Sequence, residues 1–556
     1  MRIWTLALAA IAAAAASAPA GAAPADTASA SKPKVAARDI AAAERIIGLE
    51  FTDAERDSML GDLVENLESY IALRGIRLEN AVAPSIAFDP LPAGFTLPTG
   101  RSRFTPSPAR RLDRPRDLED LAFLPVRDLA ELVRTRKVTS TELTKMYLDR
   151  LKRFGPKLEC VVTLTEARAL EAARRADEEI ARGRYRGLLH GIPYGAKDLL
   201  AVKGYPTTWG AMPYADQVFD EDASVIRKLD EAGAVLVAKL TLGALAWGDV
   251  WFGGTTRNPW NLEQGSSGSS AGSAAATAAG LVAFGVGTET WGSIVSPSTR
   301  CGATGLRPTY GRVSRAGAMA LSWSMDKIGP ICRTVEDCAI VFEAIRGPDG
   351  LDRTVLDVHF DYASKADFKK LRVGYLKSAF DGEYEGRGND LASLETLRSL
   401  GADLVPIELP DYPVHSISFI LSAEAAAAFD ELTRSGRDDL MVRQVRNAWP
   451  NVFRSSRFIP AVEYIQANRL RRLIVDEMAR LDVDVWVSPS FGGTNLLLTN
   501  LTGHPCVVLP NGFDENGSPT SITFMGRLFG EGALLAVAKA YQDATDFHLK
   551  HPPLFE

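Results

Sequence analysis

The sequence is poor in the residues that metal sites and histidine-based active sites require. It holds six histidines and five cysteines in 556 residues, and neither type occurs at the spacing of metal ligands. We therefore expect no metal. The cysteines are odd in number and lie in apolar stretches, which predicts buried free thiols: Cys160, Cys301, Cys332, Cys338 and Cys506.

The chain also lacks an excess of positive charge. Its formal net charge is -6, so there is no electrostatic basis for nucleic-acid binding. Hydrophobic residues make up 46% and charged residues 24%, which is ordinary for a globular protein of enzyme size. We expect a small-molecule or peptide partner, and no nucleic acid.

Long apolar runs are missing except at the N-terminus. There, Arg2 precedes the run LALAAIAAAAA and the small residues AGAAPA, a pattern that predicts a signal peptide over residues 1–23. The alternative is an alanine-rich membrane anchor, but the run is shorter than the roughly 18 residues that a spanning helix needs. We expect an exported protein, periplasmic or secreted, with no membrane insertion after signal removal.

Three segments precede the main domain. Residues 24–37 are a small, polar linker, and residues 38–83 are predicted to be helical, with Thr52 and Glu55 forming a capping box. We expect that capped helix to bury one face. Residues 84–120 are rich in proline and arginine and predict an extended arm without regular structure. Its arginines either form an anion-binding strip or hold the arm over an acidic domain.

From residue 121 helices and strands alternate. A helix begins at Thr139, with Glu142 as its capping partner. Gly233 separates a second helix from the strand Ala234–Leu240, and the same order recurs around Gly401. Units of this kind predict an α/β fold with a buried, largely parallel sheet.

Two serines in glycine-rich turns, Ser269 and Ser293, have no histidine beside them. Another base is therefore required, and Lys197 stands among apolar residues upstream. Burial disfavours an ammonium ion, so this lysine could be held neutral. The alternative for Lys197 is a buried ion pair with Asp198.

The segments GIPYGAKDLL, GSSGSSAGSAAATAAG and GTETWGSIVSPS, followed by CGATGLRPTYGRVSRAG, resemble the amidase signature family over roughly residues 120–545. The resemblance implies a Ser-cisSer-Lys triad in which Lys197 is the base, Ser269 relays the proton and Ser293 is the nucleophile. It also implies an oxyanion hole from three backbone amides: Thr290, Trp291 and Gly292.

The same resemblance implies an α/β/α sandwich around a large mixed, mostly parallel twisted sheet in residues 121–550, with the N-terminal helices packed on it. The expected activity is hydrolysis of linear carboxylic amides through an acyl-serine intermediate, without a cofactor. Ser293 attacks the carbonyl, the oxyanion is stabilised by the turn amides, and the proton returns to the leaving nitrogen.

Three positions depart from the common family pattern. Glu289 replaces an aspartate, Trp291 a glycine and Val295 an arginine. The GTET-GSI form is more similar to peptide-amidase-like members than to tRNA-dependent amidotransferase subunits. If the turn keeps a negative φ at Trp291, the indole points either into the acyl pocket or into the core.

Three rival interpretations remain open. The chain could be the amidotransferase-type subunit of a multi-subunit complex, or a catalytically silent binding protein. Alternatively, Gly268–Gly272 matches the G-x-S-x-G elbow of α/β-hydrolases, which would make Ser270 the nucleophile of an esterase. That elbow must follow a strand, and the preceding RNPWNLEQ does not predict one.

Overall fold

Two helices lie in the N-terminal segment in the computed structural model, which describes residues 35–556. Helices α1 (Ala37–Ile47) and α2 (Asp53–Arg74) lie in a unit that ends at Ile76. The Thr52 and Glu55 capping box of α2 is confirmed. The predicted buried face is wrong, because α2 has no buried residue. The predicted signal peptide and most of the linker lie outside the described residues.

Residues 77–556 form the second unit. Its helices are α3 (Val126–Arg134), α4 (Ser140–Leu158), α5 (Glu166–Ala181), α6 (Ser224–Glu231), α7 (Ala271–Ala278), α8 (Val295–Cys301), α9 (Val335–Ile345), α10 (Lys377–Phe380), α11 (Arg387–Ser399), α12 (Phe419–Ala428), α13 (Asp430–Arg434), α14 (Trp449–Ser456), α15 (Ala461–Met478), α16 (Asn495–Thr502) and α17 (Glu531–Asp543).

The strands of this unit are β1 (Arg103–Thr105), β2 (Val161–Leu164), β3 (Pro193–Lys197), β4 (Val235–Leu240), β5 (Val250–Trp251), β6 (Gly254–Thr255), β7 (Arg257–Asn258), β8 (Asn261–Gly265), β9 (Phe284–Glu289), β10 (Thr304–Arg307), β11 (Lys327–Cys332), β12 (Asp361–Ala363), β13 (Val373–Leu376), β14 (Leu404–Ile407), β15 (Val485–Pro489), β16 (Cys506–Phe513) and β17 (Pro519–Gly526).

An 11-stranded mixed sheet organises the unit, in the order β14-β13-β15-β17-β16-β10-β11-β9-β3-β4-β2. The α/β class and the large mixed sheet are confirmed. The expectation of a mostly parallel sheet is wrong. Parallel pairing is confined to β14-β13-β15 and β9-β3-β4, and the other neighbours run antiparallel. A helix-to-strand unit does not by itself impose parallel neighbours: α8 leads into β10 and α16 leads into β16, yet these two strands pair antiparallel with each other.

The sheet is covered on both faces because successive side chains of a strand point to opposite sides. In β4, Leu236 joins the apolar cluster that includes α9, whereas Val235 and Val237 join the cluster that includes α7. Gly285 of β9 lies so close to α7 that a Cβ would come within 3.1 Å of the Ser273 Cβ. This contact holds α7, and the turn before it, against strand β9 of the sheet.

The proline-rich and arginine-rich segment is largely irregular, with one exception to the prediction. Its strand β1 pairs in parallel with β12, which gives the segment one short piece of regular structure. Arg110 pairs with Asp128 of α3, and Arg114 pairs with Glu142 of α4 at 2.9 Å. These pairs favour an arm held over acidic residues rather than an anion-binding strip. The predicted boundaries at residues 84 and 120 stay predictions.

The five cysteines are buried and free, as predicted. Among residues 35–556, no helix combines the length and apolar character needed to span a membrane. The same residues contain no group of three or more histidine, cysteine, aspartate or glutamate side chains placed to hold a metal ion.

Candidate active site

Lys197 ends strand β3, which lies between β9 and β4 in the sheet, and its side chain is fully buried. Its Nζ lies 2.8 Å from the Ser269 Oγ, 3.1 Å from the Ser270 Oγ and 2.9 Å from the Thr288 Oγ1. Because β9 pairs in parallel with β3, Thr288 reaches the lysine from the neighbouring strand. The ammonium position is thus surrounded by three hydroxyl groups.

The predicted alternative for Lys197, an ion pair with Asp198, is wrong. Asp198 pairs instead with Lys239 of β4, at 2.6 Å, and both side chains are fully buried. Its other oxygen accepts hydrogen bonds from the Thr208 amide and hydroxyl. Side chains alternate along a strand, so consecutive residues 197 and 198 diverge, and Asp198 turns to the lysine on the next strand.

Burial holds the pKa of Lys197 well below its ordinary value. Asp326, and after it Glu289, act in the opposite direction because their negative charges favour the ammonium form. Neutral hydroxyls cannot compensate the loss of water around an ammonium ion as a contacting carboxylate would. The site therefore favours a neutral amine that can accept a proton.

Ser269 lies in the turn that leads from β8 into α7, and the peptide bond between Gly268 and Ser269 is cis. The side chain of Ser269 is 1% exposed. A Cβ on Gly268 would clash with the Gly248 carbonyl, so the tight backbone approach explains the glycine. The structure thus brings together two of the predicted residues, Lys197 and Ser269.

Ser270 belongs to the same hydrogen-bond network. Its Oγ donates to the Thr288 carbonyl at 3.0 Å and accepts from the Thr288 amide at 3.1 Å. These bonds tie the turn before α7 to strand β9. A strand, β8, does precede this turn, so the expectation that no strand stands there is wrong. However, β8 pairs with β7 in a two-stranded sheet, apart from the central one.

Ser293 lies in the turn between β9 and α8, and its carbonyl accepts a hydrogen bond from the Ser270 amide at 3.1 Å. This bond joins the two serine segments. Glu289 holds the end of this turn in place, because its Oε2 accepts hydrogen bonds from the backbone amides of Ile294 and Val295 at the start of α8. The nucleophile candidate is thereby held at a helix start.

The carboxylate of Glu289 is itself buried and paired. Its Oε1 accepts from Arg307 at 2.7 Å and from the Asn500 side-chain amide at 2.8 Å. The Arg307 guanidinium and these hydrogen bonds outweigh desolvation and hold the pKa of Glu289 at about 2. The glutamate that replaces the family aspartate therefore stays ionised.

The turn Thr290–Ser293 presents backbone donors. Among the hydrogen bonds of the described residues, none uses the amide of Trp291, Gly292 or Ser293 as donor. Gly292 takes the positive φ of 86°, so Trp291 can keep a negative φ, as predicted. The indole is 39% exposed, which rules out the core position, and its ring centroid lies 6.3 Å from that of His415.

A cavity of about 1080 Å³ borders both serine segments. Ser267, two residues before Ser269, and Ser296, on the first turn of α8, form part of its wall. Lys197, Ser269 and Ser293 are not themselves part of its lining, so the cavity lies beside the two turns. Carboxylates outnumber cations in its lining: Asp381, Glu385, Asp390, Glu408, Asp411 and Asp514 are present with one arginine, Arg300.

Sequence reasoning did not identify several residues of this site. Strand pairing brings three further residues into the site, and no local sequence pattern predicts them: Thr288, Asp326 and Arg307. The sequence predicts Ser270 only as an alternative nucleophile, whereas in the structure it is a turn residue whose Oγ accepts from Lys197 at 3.1 Å.

The chain matches the Amidase family model over residues 142–497. It is 34% identical to a Glutamyl-tRNA(Gln) amidotransferase subunit from Moorella thermoacetica, over 78% of this chain and 99% of that protein. The native peptide amidase of Stenotrophomonas maltophilia has a similar structure, with a TM-score of 0.68 and 30% identity over 76% of this chain and 97% of its own. An inhibitor-bound complex described as revealing the origins of an s-triazine catabolic enzyme gives a TM-score of 0.70 with 26% identity, over 76% and 98%.

The fold and the match define a hydrolase of the amidase signature type. The chain belongs to the amidase family, and it is an amidase acting on carboxylic amides. Membership favours this class over the α/β-hydrolase interpretation with Ser270 as nucleophile. The predicted likeness to peptide amidases over amidotransferase subunits is only partly supported. The chain is similar in sequence to the amidotransferase subunit of Moorella thermoacetica and similar in structure to the peptide amidase.

Proposed function

We propose that this protein hydrolyses linear carboxylic amides through an acyl-Ser293 intermediate. Lys197 takes a proton through Ser269 from Ser293, which attacks the amide carbonyl. One observation carries the proposal: the Lys197 Nζ lies 2.8 Å from the Ser269 Oγ. Within residues 35–556 this buried lysine contacts no carboxylate, because Asp198 binds Lys239 instead.

The oxyanion formed in this attack is assigned to the turn amides of Thr290, Trp291 and Gly292. Pre-aligned backbone donors stabilise developing charge without reorganisation. The proton then passes back through Ser269 to the leaving nitrogen, because an amine departs poorly as an anion. Water releases the acyl group from Ser293 by the same route, and no step needs a cofactor.

Three alanine variants test this assignment with a panel of amides. Ser293→Ala removes the nucleophile and should lower kcat/KM at least 10²-fold, with no fluorophosphonate labelling. Ser269→Ala should leave a small residual activity, since a water molecule can bridge the gap. Ser270→Ala is the matched control on the adjacent serine and should keep more activity than Ser269→Ala. Full activity in Ser293→Ala would overturn the assignment.

The substrates are proposed to be small-molecule or peptide amides, and the enzyme is proposed to act outside the cytoplasm. The N-terminal apolar run and AGAAPA support export. N-terminal sequencing of protein recovered from the periplasm or medium should give a start near Ala23. Exported protein that retains Met1 would contradict signal cleavage.

A second candidate function is that of an amidotransferase-type subunit, which the likeness to the Moorella thermoacetica protein favours. An amidotransferase passes the amide nitrogen to an acceptor, whereas a hydrolase releases it. Purification from the native host separates the two functions: a stoichiometric partner chain supports the amidotransferase, whereas an isolated chain that hydrolyses amides supports the exported hydrolase.

A further inference from the structure

Asp326 stands immediately before β11, opposite the turn that holds Ser293. The antiparallel pairing of β9 with β11 places Lys327 across from Glu289. The residues that continue each strand, Asp326 and Thr290, therefore meet just beyond the paired ends. The Thr290 Oγ1 donates to the Asp326 Oδ1 at 2.6 Å.

The second carboxylate oxygen of Asp326 is engaged by its own loop. Its Oδ2 accepts from the amides of Leu321 and Ser322, each at 2.9 Å. One carboxylate thus ties the loop before β11 to the first residue of the oxyanion turn. All three donors are neutral groups, so no contacting cation cancels the negative charge of Asp326. Burial raises the pKa of Asp326, and the hydrogen bonds from Thr290, Ser322 and Leu321 act against that rise because they stabilise the charged carboxylate.

We propose that Asp326 is a positioning residue for the reaction: it fixes Thr290 at the start of the oxyanion turn, and it supplies the counter-charge for Lys197 when the lysine takes a proton. This inference rests on the proposed function. Asp326 does not touch the reacting atoms, and it acts through Thr290 and through its field at Lys197.

The charges around these groups support the second role. Asp326 is the carboxylate that acts most strongly on the pKa of Lys197, followed by Glu289. Glu289 contacts Arg307, which cancels much of its field, whereas Asp326 contacts neutral donors. Two cations also face Asp326: Arg315, which is paired with Asp352, and Lys327, whose pKa burial holds well below its ordinary value.

Asp326→Asn tests both roles at once. Asparagine has a single acceptor oxygen, so it cannot accept all the hydrogen bonds that the two carboxylate oxygens of Asp326 accept. The turn should therefore loosen, and kcat should fall about tenfold. Loss of the negative charge also lowers the pKa of Lys197. Since the lysine must be neutral to act, the acid limb of the kcat/KM profile should move to lower pH. A merely structural residue would lower activity without moving that limb.

Three matched variants separate charge from shape. Thr290→Val removes the hydroxyl but keeps the Asp326 charge, so kcat should fall while the limb stays. Asp326→Glu keeps the charge and should leave the limb at the wild-type pH. Glu424→Gln changes a carboxylate that holds the same loop through Ser322 and Ser324, and it should leave the limb unmoved.

The profile is measured on amide hydrolysis and on the rate of fluorophosphonate labelling at Ser293. An active Asp326→Asn enzyme with a wild-type limb, or with wild-type kcat, would overturn the inference. If Asp326→Asn does not fold, a limb that moves in Asp326→Glu or Thr290→Val would overturn it. Full labelling in Lys197→Met would overturn the proposed function instead, which keeps the two failures distinct.

Discussion

Two lysines on neighbouring strands differ in what surrounds them, although they are equally buried. Lys197 of β3 and Lys239 of β4 are both fully buried. Lys239 contacts the Asp198 carboxylate at 2.6 Å, whereas Lys197 contacts serine and threonine hydroxyls. Burial lowers the pKa of both lysines. At Lys239 the charge and hydrogen bond of Asp198 act against that lowering, whereas the hydroxyls around Lys197 leave the neutral amine favoured. The partner, rather than burial, separates a structural lysine from one suited to act as a base.

Replacing each lysine by methionine tests this difference and should give the largest effects. Lys197→Met should lower kcat/KM at least 10²-fold, because the base is lost, with little change in the free energy of unfolding. Lys239→Met leaves Asp198 buried without its partner and should cost roughly 3–5 kcal/mol of stability. Amide hydrolysis and urea unfolding, measured on both variants, check the expectation.

The double replacement Lys239→Met with Asp198→Leu is the control for the second variant. It removes both charges of the pair and should regain much of the lost stability, since apolar pairs often replace buried ion pairs at little cost. Equal stability losses in Lys197→Met and Lys239→Met would show that the two lysines play the same structural role.

The pH dependence sharpens the comparison. Burial keeps the pKa of Lys197 well below its ordinary value of roughly 10.4. The active form is the neutral amine, so activity is present above that lowered pKa and falls about tenfold per pH unit below it. A kcat/KM profile with its acid limb below the ordinary lysine range, unchanged by EDTA, is the expected result. A limb near pH 10 would contradict a desolvated base.

Glu289 extends the comparison to a buried anion that is fully paired. Glu289→Gln leaves Arg307 without its carboxylate and disrupts the bonds to the start of α8, so it should cost roughly 3 kcal/mol of stability. The pKa of Glu289 is lowered to about 2, so its stabilisation is present above the ordinary glutamate pKa and lost as pH falls toward 2.

Acid unfolding of wild type and Glu289→Gln measures that contribution. The wild-type advantage should be complete at pH 7 and should shrink as the pH falls from about 4 toward 2. Glu55→Gln, in the exposed capping box of α2, is the matched control and should change stability much less. A stability difference that does not depend on pH would show that the Glu289 charge is not responsible.

The sequence predicted the parts of the site that lie on one short segment. The capping boxes, the glycine-rich turns and the Ser269 and Lys197 pair follow from local patterns and from the family resemblance. It did not predict that Asp198 would bind Lys239, or that Asp326 would meet Thr290. Both contacts depend on strand order and register, which are set by packing across the whole sheet. The sequence also did not predict the antiparallel pairing of strands β15, β17, β16, β10, β11 and β9, because strand order is not encoded in any one segment.

Trp291 gives the smallest expected effect. Its indole is 39% exposed beside the oxyanion turn, so it can border a bound substrate without supporting the core. Trp291→Gly removes that wall and should raise kcat/KM for bulky amides several-fold relative to small ones, while fluorophosphonate labelling of Ser293 persists. Stability should change little, because a half-exposed side chain buries limited apolar area. Trp291→Phe keeps an aromatic wall and should retain the wild-type selectivity. Equal losses on bulky and small amides in Trp291→Gly, together with a lowered Tm, would show that the indole supports the turn instead of selecting substrate.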